Sequence, residues 1–392
     1  MTVRFGIDVL SAEGFGPLKG LRVGAIVNPT SVDAGFRHLA DLLGDAPGVT
    51  LSALFGPEHG VRGEAQYMEA VGDEGPRDAR TRAPIYSLYG QSFESLAPRP
   101  QWLAGLDALV FDVQDVGARY YTYLATMGLA MKAAAKARIA FWVLDRPNPL
   151  GLELTEGNLV QPAFRSFVGL YPVPTRHGMT AGEMASFIND TEHLGAELHV
   201  VRCEGLERRH LWADTGRAFI PPSPNMPTFD TALVYPGMCL GEGTNVSEGR
   251  GTCRPFEQFG APFLEGQEVA GRLNELGLPG VVFRACSFTP TFDKWKGQSC
   301  GGAFIHVVDA QAFRPVLTGV AVFQACFELG RGHFHWRDDA YEFVDDVPAF
   351  DLLCGTDEVR LGIEAGHPLE RIVSGFEPQR AFLSTRERYA LY

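Results

Sequence analysis

The chain has 392 residues, 45% apolar and 21% charged, which suits a folded globular protein long enough for two domains with their own cores. Its 47 acidic residues against 34 lysines and arginines give a net charge of −13, arguing against a nucleic-acid partner, which would need clustered basic side chains. No apolar run reaches the roughly 18 to 20 residues of a membrane span, and the start has Arg4 but no apolar h-region or small-residue cleavage site, so the expected location is the cytoplasm.

The first element in the chain is a buried-strand run, LRVGAIVNP from Leu21, followed by a helical FRHLADLLG. VTLSALFG is the second strand. APIYSLYG, DALVFDVQD and IAFWVLDRP are three more, rich in β-branched and aromatic residues and bounded by Gly, Pro or Asp. The Ala-, Leu-, Met- and Lys-rich stretch from Tyr120 to Arg138 reads as a helix. Thr180 and Glu183 form a Ser/Thr-x-x-Glu capping box at another helix start. ELHVVRCEG and TALVYPGMCL are read as further strands, and GVVFRACSF and GGAFIHVVD as strands of a less regular C-terminal part. Apolar strands alternating with helices predict a doubly wound, mostly parallel α/β sheet. The change of character near Pro255 divides the chain into 1–255, a Rossmann-like catalytic domain, and 256–392, a smaller α+β domain.

In an open parallel sheet, ligands bind outside the carboxyl ends of the strands. Four loops read as following strands there: PEHGVRGEAQ, QDVGARYYTY, DRPNPLG and GEGTNVSEGRGT, all rich in acids, arginines, asparagines and glycines. Each also has a structural reading. Glu58 and Glu64 would favour the N-terminus of a following helix through its dipole. Asp112 and Asp115 would cap the helix near Tyr120, Asp145 and Arg146 would pair, and Tyr120, Tyr121 and Tyr123 would pack between domains.

Other chemistries find less support. The seven cysteines are odd in number, scattered and without a CxxC pair, so they read as reduced thiols, with Cys239, Cys300 and Cys326 as small core residues. SEGRGT resembles an anion-binding turn but is not a Walker A loop, and no GxGxxG follows the first strand. His333, His335, Asp338 and Asp339 read as a solvated turn, HExxH and GxSxG are absent, and no metal or cofactor is expected. What remains is carboxylate chemistry with arginines and aromatics to hold a polar substrate, which suits a glycosidase.

Taken together, FGPEHGVRGE, DVQDVGARYYTY, VLDRPNPLG, SFVGLYPVPTRHGMTAGE, PPSPNMPT, YPGMCLGEGTNVSEGRGT and PFEQFGAP resemble the DUF1343 proteins. The characterised members of that family are exo-β-N-acetylmuramidases of the NamZ type, glycoside hydrolase family 171. The resemblance runs from Leu21 to the final RYALY. It implies a Rossmann-like domain with a smaller one closing the cleft, and release of N-acetylmuramic acid from the non-reducing end of peptidoglycan fragments in wall turnover.

By that resemblance Glu58 is the expected general acid/base, with Glu64 and then Asp115 and Glu242 as candidates for the second group; the substrate's own acetamido group is an alternative nucleophile. Arg62, Arg119, Arg146, Arg176 and Arg250 are candidates to hold the lactyl carboxylate. Tyr120 and Tyr121 would stack on the sugar, and His59, Asn148, His177, Asn225 and Asn245 would read its polar groups. Gly241 stands where relatives would carry a bulky aromatic. The competing reading is a catalytically silent muropeptide binder or sensor, and monomer and homodimer both stay open.

Overall fold

A computed structural model describes residues 2–62, 76–90, 92–376 and 380–392. Six strands form the main sheet: β1 (Arg22–Val27), β2 (Thr50–Gly56), β3 (Ile85–Ser87), β4 (Ala108–Asp112), β5 (Ala140–Leu144) and, after a two-stranded ribbon of β6 (Glu156–Leu159) and β7 (Pro174–Arg176), β8 (Leu198–Val201). The order is β3-β2-β1-β4-β5-β8 and every pairing is parallel, so the chain reverses its direction of growth between β1 and β4. This is the doubly wound order of a Rossmann-like sheet.

Strand residues alternate between two cores. Val23, Ala25, Val27, Val110 and Leu144 enter one, together with Leu39, Leu42 and Leu43 of the Leu39–Asp45 helix. Ile26, Leu109, Phe111, Phe141 and Val143 enter the other, with Met127 and Met131 of the Tyr123–Ala137 helix and Phe187 of the Ala181–Thr191 helix. Both faces are therefore covered, which is why the strands read as unbroken apolar runs. The Ala181–Thr191 helix starts at the expected capping box: Thr180 accepts from the Glu183 amide, and the Glu183 carboxylate accepts from the Thr180 amide.

A second, antiparallel sheet has the order β10-β11-β9, with β9 (Gln258–Ala261), β10 (Val281–Phe288) and β11 (Cys300–Val307). Phe259, Phe283 and Ile305 from these strands, and Phe323 and Phe350 from helices beyond them, join the same core as Phe111 and Phe141. One apolar interior thus runs from the parallel sheet into the C-terminal part.

One expected strand is a helix. TALVYPGMCL lies in the Phe229–Met238 helix and the single 3₁₀ turn Cys239–Gly243 that follows. Thr228 caps the helix by accepting from the Thr231 amide at 3.2 Å. The segment is buried all round, so it has no polar face to reveal a helical period. Pro236 lies inside it, and its carbonyl accepts from the Tyr120 hydroxyl. Gly237 meets the Pro315–Leu329 helix backbone to backbone; a Cβ there would stand 1.9 Å from the Pro315 carbonyl oxygen. That contact fixes the turn carrying Glu242. No helix among the described residues is long and apolar enough to cross a membrane.

Candidate active site

Glu58 follows β2 in a turn closed by the Gly60 amide donating to the Pro57 carbonyl at 3.0 Å. His59 and Gly60 both have positive φ, 72° and 79°, so the backbone folds back sharply and presents the Glu58 side chain sideways. Residues 63–75, where a helix started by Glu58 would run, lie outside the described residues. Thr122, the residue preceding the Tyr123–Ala137 helix, donates to Glu58 Oε2 at 3.4 Å, and His59 Nε2 lies 3.7 Å from Oε1. Tyr123 donates to the Pro222 carbonyl at 2.6 Å, which ties the 220–226 loop to the same wall.

The opposite wall comes from the C-terminal part. Glu242 accepts from Arg250 on one oxygen and from the Tyr341 hydroxyl on the other, at 2.7 Å. Arg250 also reaches Glu248 at 3.3 Å, and Lys294 holds Glu248 at 2.8 Å. Glu342 accepts from Tyr89, on the segment after β3, at 3.2 Å. Three glutamates therefore face one hollow, and Arg250 already serves Glu242 and Glu248.

The charges follow from this arrangement. The Glu58 side chain keeps about a third of its surface (34%) open to the cleft, but protein crowds it on the remaining sides. Lost hydration, then Glu342 and Glu242, push its carboxyl up to about 7, against the smaller opposing pull of Arg250 and Thr122. His59 is driven down to about 4, first by burial and then by Arg250, so it is a neutral imidazole at pH 7. Glu342 is also raised, by burial and then by Glu242. Burial alone would raise Glu248, but Lys294 and Arg250 outweigh it and hold it below its ordinary value.

The other residues singled out in the sequence fall elsewhere. Glu64 lies outside the described residues. Arg62 binds Asp78 at 2.6 Å and Asp41 at 2.7 Å. Arg146 is buried in a two-pronged contact with Asp112 at 2.6 and 3.0 Å; the expected pairing of Arg146 with Asp145 is replaced by this one. Arg119 donates to the main-chain carbonyls of Asn158, Val173, Leu353 and Cys354, and Arg176 to that of Leu150. Asp115 accepts from the Gly117 amide at 2.6 Å and lies 3.3 Å from His177, which is fully buried. Neither Asp112 nor Asp115 caps the Tyr123 helix, which Thr122 precedes.

Asn148 turns the chain by accepting from the Leu150 amide at 2.9 Å, and Asn245 brackets the His333 carbonyl and His335 amide. Tyr120 and Tyr121 are buried, edge-on against Tyr235. Asn225 is half-buried on the 220–226 loop. The glycines of SEGRGT have φ of 80° and 77°, and a Cβ at Gly251 would stand 2.8 Å from Phe292 backbone, so they permit close packing of the turn. GEGTNVSEGRGT follows a helix and not a strand, so it is not one of the loops at the carboxyl ends of the parallel strands.

Of the residues expected at the site, Glu58, His59, Glu242 and Arg250 come together. Tyr89, Tyr341 and Glu342 were not singled out. Tyr341 and Glu342 lie in an acidic, aromatic stretch, DDAYEFVDD, and Tyr89 at the end of the strand run APIYSLYG, and neither stretch carries a motif.

A second hollow of about 240 Å³ opens at the β1/β4 reversal, lined by Phe5, Trp212, Arg146 and Arg217 among others. Each arginine there has its carboxylate: Asp112 for Arg146, and Asp8 for Arg217 at 2.5 Å.

Comparison with known proteins agrees over the whole chain. The family model described as exo-beta-N-acetylmuramidase NamZ, N-terminal, matches residues 23–230, and its C-terminal counterpart matches 233–392. The chain is 45% identical over 391 residues to the peptidoglycan beta-N-acetylmuramidase NamZ of Bacillus subtilis (strain 168), covering 100% of this chain and 91% of that protein. A crystal structure of a DUF1343 family protein from Bacteroides fragilis superposes with a TM-score of 0.90 at 35% identity, covering 100% of this chain and 99% of that one. A second DUF1343 structure from the same organism gives 0.77 at 29%, with the same coverage.

Proposed function

Because the chain belongs to the NamZ exo-β-N-acetylmuramidase family, we propose that it is a glycoside hydrolase releasing N-acetylmuramic acid from the non-reducing end of peptidoglycan fragments. The observation that carries this reading is Glu58: a carboxyl held near 7, open to a cleft and, among the described residues, without an Arg or Lys at ion-pair distance. A group poised there supplies a proton at neutral pH, which leaving-group departure from a sugar requires.

In this reading the bond from the anomeric carbon to the bridging oxygen breaks as Glu58 gives its proton to that oxygen. Water then adds its hydroxyl to the anomeric carbon and its remaining proton returns to Glu58. Glu242, fixed by Arg250 and Tyr341, is the side chain best braced to steady positive charge on the sugar ring. Neutral His59 offers a hydrogen bond to the substrate beside Glu58. The test is incubation with MurNAc–GlcNAc and with the reversed disaccharide. Release of N-acetylmuramic acid from the first alone is the expected result. Binding of the first without turnover would move the assignment to a muropeptide sensor.

A further inference from the structure

Glu342 and Phe343 form a two-residue hairpin loop. The Tyr341 amide donates to the Val344 carbonyl at 2.8 Å, and the Val344 amide returns the bond at 3.0 Å. Both central residues have positive φ, 46° and 71°. Loops of this kind are filled at least cost by Asn-Gly, because a Cβ crowds the following carbonyl in the left-handed region. Here a glutamate and a phenylalanine occupy them. Two non-glycine residues side by side in that conformation persist only when their surroundings hold them, and such strain gathers at working sites.

The surroundings are specific. Tyr341, at the foot of the loop, donates to Glu242; Phe343 packs edge-on to Phe167 with ring centres 6.2 Å apart; and Tyr89 donates to the Glu342 carboxylate. Among the described residues, no cation lies within ion-pair distance of Glu342. A strained loop that serves only to turn the chain would not need a half-buried acid without an ion pair at its first position.

We infer that Glu342 is a positioning residue for the glycosidase reaction proposed above: the strained loop, tied through Tyr341 to Glu242, and Tyr89 fix its carboxylate in the acid cluster that faces Glu58, so that the proton of this cluster rests on Glu58. Tyr89 makes the pair unequal by donating to Glu342, where Arg337 and Arg250 also favour the ionised form, while Glu58 has the long Thr122 contact and the pull of Arg250. The other groups facing Glu58 are Glu242 and Arg250 from the C-terminal wall, His59 from its own turn and Tyr123 from the adjoining helix. Arg250 is tied to Glu242 and Glu248, and His59 is neutral, so neither substitutes for Glu342.

The inference rests on the muramidase reading for its chemistry, and its test separates the two. The Glu58 carboxyl carbon, assigned by its absence in Glu58→Gln, is titrated by ¹³C NMR in wild type and in Glu342→Gln, beside pH profiles of kcat/KM on MurNAc–GlcNAc. Glu342→Gln is expected to move the Glu58 titration and the basic limb of the profile to lower pH together, by about one unit, so that kcat/KM on the far side of that limb falls roughly tenfold. Glu342→Asp should restore most of the shift. A purely structural role would lower kcat at every pH and leave the limb in place. An unmoved Glu58 titration in folded Glu342→Gln overturns the inference. Should that variant not fold, Tyr89→Phe decides, with a shift in the same direction expected and no shift overturning it. Failure of the wild type to cleave the disaccharide would overturn the muramidase reading alone, since the NMR titration needs no turnover.

Discussion

Two hollows open on the carboxyl edge of one parallel sheet, and they balance charge in opposite ways. At the β1/β4 reversal each cation has its own anion, Arg146 with Asp112 and Arg217 with Asp8. Beside β2, Glu58, Glu242 and Glu342 share a hollow whose arginine is divided between Glu242 and Glu248. In a paired hollow each charge is answered by a partner within ion-pair distance. The surplus of acid beside β2 leaves a proton to be held, and held protons are what acid catalysis uses. Charge balance within the fold, more than the position of a loop at a strand end, separates the working site from the scaffold.

The largest expected effect comes from breaking the unbalanced side. Glu58→Gln removes the transferable proton but keeps the shape, so turnover of MurNAc–GlcNAc should fall by about 10² to 10⁴-fold. Thermal stability should hold or rise slightly, because a crowded acid is replaced by a neutral amide. Retained turnover in a folded Glu58→Gln protein would show that the surplus charge is not the source of the chemistry.

Breaking the balanced side should do the reverse. Arg146→Met leaves Asp112 fully buried without its cation, a loss on the order of 3–5 kcal/mol in denaturant unfolding. Adding Asp112→Asn should recover part of that loss, since the penalty lies in the orphaned charge. If Arg146→Met instead keeps its stability and loses substrate binding, the β1/β4 hollow belongs to the site after all.

This contrast also explains how far the sequence could be read. The strands β1, β2, β4 and β5 were legible because burial on both faces writes them as apolar runs with turn residues at their ends. Glu58 was legible because Pro57, His59 and Gly60 mark a forced turn after a strand. The loops after β4 and β5 carry the same residue types, yet Asp115 is met by His177 and Arg119 by four carbonyls, none of which is adjacent in sequence. The Phe229–Met238 helix was missed because burial on every side erases its period. Glu342 was missed because its meaning depends on Tyr89, 253 residues away. Residue type and turn chemistry are local; whether a charge is answered is not.

The smallest expected effect tests whether an unanswered acid is by itself enough to mark a site. Glu156, on β6, is buried and makes no ion pair among the described residues, although Arg176 stands opposite it on β7: one oxygen accepts from the Leu317 amide at 2.6 Å, and the other has no hydrogen-bond partner among the described residues. Burial pushes its carboxyl up to about 7, against the pull of that amide and of Arg176. A carboxyl raised on folding stabilises the fold fully below its unfolded value of about 4.3, and that contribution is lost as pH rises through 7. Glu156→Gln mimics the protonated form. It should match wild type in stability at pH 4 and exceed it at pH 8 by on the order of 1–3 kcal/mol, with disaccharide turnover unchanged. A variant less stable than wild type at pH 8 would mean that Arg176 answers the charge from a distance. Loss of turnover would mean that a raised carboxyl matters even where no cleft reaches it. With neither result, surplus acid counts as function only where substrate can enter, and that condition singles out the hollow beside β2.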